Sequence, residues 1–243
     1  MKAVRQCKRA VAPAISTVIL VGATIAIAIA AYQYVASSLA ISQARANFED
    51  AKEAFKEMAR WLNTFAFTEG ASQSIPLSLA HGMLEKQPYI IDIEGLGTFE
   101  SYELRFYGKV QGYEEVLYGD KSPLIISPDQ AEPIPIAYVD QDANGRWFVA
   151  INTSRIMIID QGNVTINDQT YRKYSILMIT IDDVEFSGSG TTFNVKIVVS
   201  DVEYKNLTPP SLSQISIDGE TYNFPTNNIV VLVHSHIKII VSS

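Results

Sequence analysis

The segment Val11–Ala31 reads VAPAISTVILVGATIAIAIAA, and apart from one Ser, two Thr and one Gly it is apolar. As an α-helix, its 21 residues at about 1.5 Å per residue extend roughly 30 Å, the thickness of the hydrocarbon core of a bilayer. No charged side chain occurs from Ala10 to Ala44. The segment therefore predicts a helix that lies in lipid or in the apolar core of an assembly.

Four basic side chains and no acidic ones precede this segment: Lys2, Arg5, Lys8 and Arg9. Basic residues beside a membrane-spanning helix remain on the cytoplasmic side, so we expect the carboxyl-terminal bulk of the chain to face outward. A secretory signal peptide has a shorter apolar region, of about 7 to 15 residues, followed by a small-residue cleavage site. Neither feature fits this segment, which indicates a different kind of leader.

The junction between leader and apolar segment, Lys8-Arg9-Ala10 followed by Val11, resembles the class III leader of archaeal type IV pilins and pilin-like proteins. In that family a membrane-bound prepilin peptidase cuts between the basic-plus-small pair and the apolar helix. The resemblance implies cleavage after Ala10, with Val11 as the first residue of the mature chain.

Two further positions of the apolar helix bear on this resemblance. Pro13 matches the proline that such pilins often have near the start of the helix, and Ile15 occupies the fifth mature position, where bacterial type IV pilins have Glu. The segment lacks the Gly-Leu-Asp signature common in archaellins, which argues against an archaellum subunit. The resemblance implies that part of this helix lies in a filament core. The residues assigned to that core are Pro13, Ile15, Val18, Ile19, Leu20, Val21, Gly22, Ile25, Ile27 and Ile29.

The resemblance implies a structural role as a subunit of an extracellular type IV pilus-like filament. The amino-terminal helix would lie in the filament core, and the remaining domain would lie outside and serve surface attachment. The implied partners are copies of the chain itself in a helical homopolymer, the membrane before assembly, the prepilin peptidase and the pilus assembly machinery. The alternative is a membrane-anchored minor pilin or envelope binding module that does not itself form the filament, since it needs the same leader and helix.

Composition restricts the chemistry of the mature chain. Removal of residues 1–10 leaves 233 residues with 15 basic and 26 acidic side chains, a formal net charge of −11. A negatively charged surface repels the phosphate backbone, so this composition disfavours nucleic acid as a partner. Cys7 is the only cysteine and lies in the leader, so we expect neither disulfides nor thiolate chemistry in the mature chain.

Beyond the apolar segment the chain continues without proline or glycine and becomes amphipathic, which predicts one helix from about Pro13 to Phe65. We expect this helix to end near Gly70, and we divide the chain into a leader (1–10), a long helix (11–68) and a β domain (69–243). In the second half of the helix, apolar residues recur at intervals of three and four and form one stripe, namely Phe48, Ala51, Phe55, Met58, Leu62 and Phe65.

The remainder of the chain has the pattern of short strands separated by Gly, Pro, Asn and Asp. It predicts an α+β chain in which the helix precedes an all-β, antiparallel, sandwich-like domain. The last strand would be integral to a sheet or available to a neighbouring subunit. The predicted strands are Tyr89 to Ile93, Ser101 to Tyr107, Ile134 to Val139, Arg155 to Asp160, Ser175 to Ile181, Asn194 to Val202 and Ile229 to Val241.

His234 and His236 share one face of the last predicted strand. A His-X-His pair can supply two ligands of a zinc or copper site. Because no third ligand is visible nearby in the sequence, the favoured interpretation is a solvated strand face.

Asp140, Asp142 and Asn144, followed by Gly145, match the opening of a calcium-binding loop. The twelfth position of that loop, which should supply a bidentate Glu, is Ile151. The motif also lies between two strand-like runs, where turn residues are expected. A hairpin turn is therefore favoured over a weak calcium site, and we predict no bound metal or other cofactor.

Asn152, Asn163 and Asn206 each begin an N-glycosylation acceptor triplet. On an exported domain these triplets indicate a glycoprotein, although Thr and Asn are also common in β domains.

The sequence has no nucleophile elbow, metalloprotease helix motif or phosphate loop. The adjacent pairs Asp182-Asp183 and Glu114-Glu115 would point to opposite faces of a strand. We therefore assign no catalytic residue and expect no enzymatic activity.

Overall fold

The computed structural model describes residues 2–207 and 212–243, with side chains described from Thr17 onward. Its architecture is α+β, as the sequence predicts: a single long helix, α1 (Lys2–Phe65), precedes the strands. The strands are β1 (Ser72–Ser78), β2 (Gly82–Ile93), β3 (Gly97–Gly108), β4 (Glu115–Tyr118), β5 (Ile125–Ile126), β6 (Ile136–Gln141), β7 (Trp147–Asn152), β8 (Ile156–Ile166), β9 (Gln169–Ser187), β10 (Thr192–Leu207), β11 (Gln214–Ile217), β12 (Glu220–Asn223) and β13 (Asn228–Ser242).

The chain forms two compact units, Met1–Gln43 and Ala44–Ser243. The boundary between them lies inside α1, at the point where the uncharged sequence ends and charged residues begin. The second unit therefore contains the amphipathic half of the helix together with every strand described above. The sequence-based division at residue 68 separated this half of the helix from the strands with which it packs.

The stripe of the amphipathic half is buried in the core of the second unit. Phe55, Met58 and Leu62 have no exposed surface, and Phe48 is almost fully buried against Phe106, with ring centroids 6.3 Å apart. Side chains of β3, β6, β7, β9, β10 and β13 belong to the same apolar cluster. The helix thus supplies one wall of a core that both large sheets share.

Phe65 departs from the predicted stripe, because 44% of its surface is exposed. Its ring packs against Trp61, at a centroid distance of 5.7 Å. The helix ends at Phe65, and Ala66, four residues after Leu62, occupies the buried position instead. The Oγ of Ser235 donates a hydrogen bond to the carbonyl of Ala66, so β13 satisfies a carbonyl that the helix end leaves free.

Within residues 2–207 and 212–243, the strands form three sheets. The six-stranded sheet has the order β1-β10-β13-β9-β8-β5, the five-stranded sheet has the order β2-β3-β7-β6-β4, and β11 and β12 form a separate ribbon. The five-stranded sheet is antiparallel throughout.

The six-stranded sheet is mixed, which corrects the prediction of an antiparallel domain. β13 pairs in parallel with β9 and antiparallel with β10, and β5 pairs in parallel with β8. β9 and β10 follow one another in the chain but run in opposite directions, and β13 lies between them. A strand inserted between two antiparallel strands must be parallel to one of them, and no local sequence pattern reveals that insertion.

β13 is buried on both faces. On one face Val233, Ile237 and Ile239 belong to the core that contains the helix stripe. On the other face Val230 and Leu232 belong to a second core, which β2, β8, β9 and the β11-β12 ribbon complete. The strand is therefore integral to the sheet, with hydrogen-bonded neighbours on both sides.

The position of the unit boundary predicts how the chain can be shortened. A fragment of residues 44–243 retains the helix stripe and should fold, giving a near-ultraviolet circular dichroism spectrum typical of fixed aromatic side chains. A fragment of residues 71–243 lacks the stripe and leaves the shared core open to water, so it should lose that spectrum or aggregate. Equal tertiary structure in both fragments would show that the helix is dispensable to the core.

Two phenylalanines on the same helix provide a matched test of this packing. Phe55→Ala should reduce the free energy of unfolding by about 3–5 kcal/mol, since it removes a fully buried ring. Phe65→Ala should reduce it by no more than about 1.5 kcal/mol, the range for one aromatic contact. Urea unfolding of residues 44–243, followed by tryptophan fluorescence, measures both, and similar losses would contradict the assignment of Phe55 to the core and Phe65 to the surface.

Candidate functional site

The first unit presents an apolar helix whose side chains are exposed in the single chain. Val18, Ile19 and Ile27 are each about two-thirds exposed or more, and none of the most apolar 18-residue window is buried, at a mean hydropathy of 2.0. By length and composition this helix can cross a membrane. Exposed apolar surface of this extent marks a membrane or protein interaction site, and the helix fits a membrane anchor.

The polar groups of this helix are compatible with an apolar environment. The hydroxyl of Thr24 donates to the carbonyl of Leu20 at 2.8 Å, so its proton is satisfied within the helix. Tyr32 and Tyr34 follow the segment and are exposed, and tyrosine is favoured at the boundary between membrane and water. A Cβ added at Gly22 would meet nothing within 4 Å, so the single chain does not itself require glycine there.

The residues predicted to form a filament core fall into two groups. Val18, Ile19, Leu20, Val21, Ile25, Ile27 and Ile29 all lie on the exposed surface of this helix. The side chains of the predicted processing residues Lys8, Arg9, Ala10 and Val11, and those of Pro13 and Ile15, lie outside the described residues.

The calcium-loop candidate is the turn of the β6-β7 hairpin, which confirms the interpretation that the sequence favoured. Asp142 Oδ1 accepts hydrogen bonds from the backbone N–H groups of Asn144 and Arg146, and Asp142 Oδ2 accepts one from Arg146 Nε at 2.8 Å. Asp140 Oδ2 accepts from Lys121 Nζ at 2.7 Å. Protein groups therefore already neutralise both carboxylates of the proposed calcium loop.

The three acceptor triplets differ in accessibility. Asn163 in β8 and Asn206 in β10 are exposed. Asn152, at the end of β7, is half-buried, and its Oδ1 accepts a hydrogen bond from the backbone N–H of Ser154 at 2.6 Å. A glycan is therefore accommodated more readily at Asn163 and Asn206 than at Asn152.

The two histidines of β13 lie in a polar cluster with residues of β9 and β10. His234 lies opposite Glu203 in β10, and His236 lies opposite Thr180 in β9. Opposite residues of paired strands share a face, so Glu203 and Thr180 lie beside the histidines. The register of β9 against β13 shifts after Ile237, and this bulge brings the carboxylate of Asp182 to His236.

The hydrogen bonds of the cluster fix which nitrogen of each ring carries the proton. Thr180 Oγ1 donates its single proton to Asp182 Oδ1 at 2.6 Å, so in its 2.8 Å bond with His234 Nε2 the ring must be the donor. Asp182 Oδ2 accepts from His236 Nδ1 at 2.6 Å. In the neutral rings, the bare nitrogens are therefore Nδ1 of His234 and Nε2 of His236.

One of these nitrogens is buried without a hydrogen-bond partner. His236 Nε2 has no partner within hydrogen-bond distance, and Glu203 Oε2 lies 4.0 Å from it. The two ring centroids are 3.9 Å apart. Burial, with the neighbouring His236 as the second cause, lowers the pKa of His234 to about 4, so its ring is neutral at physiological pH.

A cleft of about 140 Å³ opens beside the cluster. His234 and Glu203 line one side of it, and residues at the β2-β3 turn line the other. The ring of Phe99 meets that of His234 edge to face, with centroids 5.4 Å apart. The prediction of a solvated strand face was wrong at His234, which is buried because the β2-β3 hairpin covers it.

Glu203 is the functional candidate that sequence reasoning missed. It lies 31 residues before His234 in the chain and reaches it through the pairing of β10 with β13. The alternation of Asp201, Glu203 and Lys205 marks one polar face of β10, but nothing local assigns that face to the histidines. Across the part of the chain with described side chains, Glu203, His234 and His236 are the one group of three metal-ligating side chains whose ligand atoms lie within 4.8 Å of one another.

Comparison of the chain with protein-family models, with curated proteins and with solved structures finds no match.

The response of the melting temperature to Ca²⁺ and to substitution of Asp142 distinguishes a hairpin turn from a calcium site. Addition of millimolar Ca²⁺ should leave the melting temperature unchanged, since protein donors already engage the carboxylates. Asp142→Ala should lower the melting temperature more than Asp142→Asn, because Asn keeps an oxygen for the two backbone N–H groups. A stabilisation by Ca²⁺ that Asp142→Ala abolishes would restore the calcium interpretation.

The same turn has a defined pH dependence. Slight desolvation would raise the pKa of Asp142, but hydrogen bonds from Arg146 and Asn144 hold it below its ordinary value. The contribution of Asp142 to stability is therefore present above about pH 4, the ordinary carboxyl pKa, and is lost as the pH falls through the lower folded-state pKa. The difference in melting temperature between the wild type and Asp142→Asn should shrink over that range.

Proposed function

We propose that this chain is a pilin-like structural subunit of an extracellular type IV pilus-like filament. The leader is removed after Ala10, the apolar helix passes from the membrane into a filament core made of its own copies, and the β domain lies outside and serves surface attachment. Exposed Asn163 and Asn206 are the positions that would carry glycans on such a surface.

The exposure of the helix in the first unit is the observation that carries this proposal. Burying an exposed aliphatic side chain of this size contributes roughly 1.5–3 kcal/mol, and the helix presents at least seven such side chains. Lipid and neighbouring helices can both accept this surface, so one helix can serve first as an anchor and then as a core element. Gly22 lies within it, and small residues allow helices to approach closely.

The continuity of α1 also supports a structural role. The helix crosses the boundary between the units without interruption, and its second half is part of the core of Ala44–Ser243. The segment that we propose for the filament core and the domain that we propose to be displayed therefore share one helix.

The alternative is a membrane-anchored minor pilin or envelope binding module that does not form the filament. The cleft beside His234 favours this alternative, because a binding module needs a concave site in its exposed domain. The leader and the apolar helix serve both functions equally. For neither function do we expect enzymatic activity.

Localisation and the mature terminus decide between these functions. Cells that express the chain are sheared, and mass spectrometry of the released filaments and of the membranes determines where the chain is and where it begins. We expect a chain beginning at Val11 in the sheared filaments, and accumulation of full-length precursor in membranes for Arg9→Glu and Ala10→Leu. A Val11 chain confined to membranes would favour the anchored module, and normal maturation of both variants would exclude the class III leader.

A substitution in the helix separates assembly from anchoring. Gly22→Leu adds an apolar side chain that meets nothing in the single chain, so membrane insertion should persist while close helix packing is blocked. Val21→Leu is the matched control, since it places the same side chain at a neighbouring position that is already large. We expect filaments to be lost only in the Gly22 variant, whereas filament yields equal to the wild type in both variants would contradict close packing of helices at this glycine.

A further inference from the structure

We propose that His234, His236 and Glu203 form a binding site for a transition metal ion of the zinc or copper class. The site lies wholly within the unit Ala44–Ser243 and is independent of whether the chain assembles into filaments. Two imidazoles and one carboxylate are a donor set that these ions accept, whereas calcium and magnesium prefer oxygen ligands alone.

The protonation pattern of the cluster matches what a metal site requires. A ligating imidazole must present a bare nitrogen, and its other nitrogen usually donates to a carboxylate or another oxygen that holds the ring in place. Asp182 accepts from His236 Nδ1, and Thr180, itself bonded to Asp182, accepts from His234 Nε2. Asp182 and Thr180 are thus positioning residues that leave one bare nitrogen on each ring.

The unpartnered nitrogen of His236 indicates where the ion would bind. A buried polar atom without a partner costs free energy, and His236 Nε2 is such an atom. A cation at this nitrogen would satisfy it and would also attract the carboxylate of Glu203, 4.0 Å away. Two further carboxylates, those of Asp182 and Asp201, add negative charge near His236, and Asp201 lies opposite His236 in the strand pairing. Lys205, which lines the cleft, carries a positive charge that works against cation binding.

The distances require only a small adjustment. Metal–nitrogen and metal–oxygen bonds of about 2.1 Å in tetrahedral geometry place two ligands roughly 3.4 Å apart. In the structure, one ring nitrogen of each histidine and one carboxylate oxygen of Glu203 lie within 4.8 Å of one another. The Glu203 side chain is 63% exposed and free to move inward, whereas that of His236 is only 21% exposed and is held by Asp182. Three protein ligands leave a fourth position for water or an added ligand, and the adjoining cleft gives access to it.

The test uses the full chain, purified in detergent without a polyhistidine tag and with Cys7→Ser, so that no thiolate competes. Isothermal titration with Zn²⁺ measures stoichiometry and affinity, and Co²⁺ serves as a probe whose visible absorption reports on its ligands. We expect one ion per chain, a higher melting temperature with Zn²⁺, and a Co²⁺ spectrum typical of nitrogen and oxygen ligands.

Four variants identify the ligands. His234→Gln and His236→Gln should each weaken Zn²⁺ binding by more than about 100-fold, and Asp182→Asn should weaken it by about 10- to 100-fold while the Co²⁺ spectrum keeps its form. Glu203→Gln should also weaken binding and change the Co²⁺ spectrum. Because Glu203 is largely exposed, this variant should retain the wild-type fold, so its loss of binding cannot be attributed to unfolding.

His81→Gln is the matched control, since His81 is the remaining histidine of the chain and takes no part in the cluster. Its Zn²⁺ affinity should equal that of the unsubstituted chain. The proposal would be overturned by the absence of Zn²⁺ and Co²⁺ binding, by an equal effect of His81→Gln, or by full affinity in Glu203→Gln.

Discussion

The structure depends on the burial of a single helical stripe between two sheets. Phe48, Phe55, Met58 and Leu62 fill the space that the six-stranded and five-stranded sheets would otherwise leave open, and the side chains around them come from strands spread along the whole domain. Cys7 is the only cysteine of the sequence, so no disulfide within the chain can compensate for a missing wall of this core. The amphipathic half of α1 is therefore part of the unit Ala44–Ser243, and the apolar half alone remains for lipid or assembly.

That division gives one helix two different surfaces. From Ala10 to Gln43 it has no charged side chain, and its large apolar side chains from Val18 to Ile41 are exposed, a pattern suited to a surrounding of lipid or of other helices. From Ala44 onward one stripe is buried and the other faces carry charged side chains. The change of surroundings occurs without a break in the helix, so the same element belongs to both units.

β13 has a comparable role among the strands. Its insertion between β9 and β10 gives it a neighbour on each side and a core on each face. The same insertion brings Glu203 of β10 and Asp182 of β9 to the two histidines, which lie where the apolar residues of one face give way to polar ones. The polar cluster is thus a consequence of strand order, and it places titratable side chains next to a cleft in the domain that we propose to be displayed.

Local patterns in the sequence determined the elements of this protein, because hydrophobic periodicity and turn residues depend on neighbours along the chain. They gave the long helix, its apolar and amphipathic halves, the α+β class, the hairpin at Asp142 and most of the strands. The leader and its processing residues are likewise a matter of sequence, and their function stays a prediction.

Tertiary structure alone decided which elements lie side by side. Strand order joined β13 in parallel to β9 and brought Glu203 of β10 beside the histidines of β13, across the 31 residues of sequence that separate it from His234. The end of the helix left Phe65 exposed and Ala66 buried, and the packing of the amphipathic half placed the division between the units within the helix. Such contacts arise from the packing of distant segments, and the free energy that selects them is a property of the whole core, which no short stretch of sequence encodes.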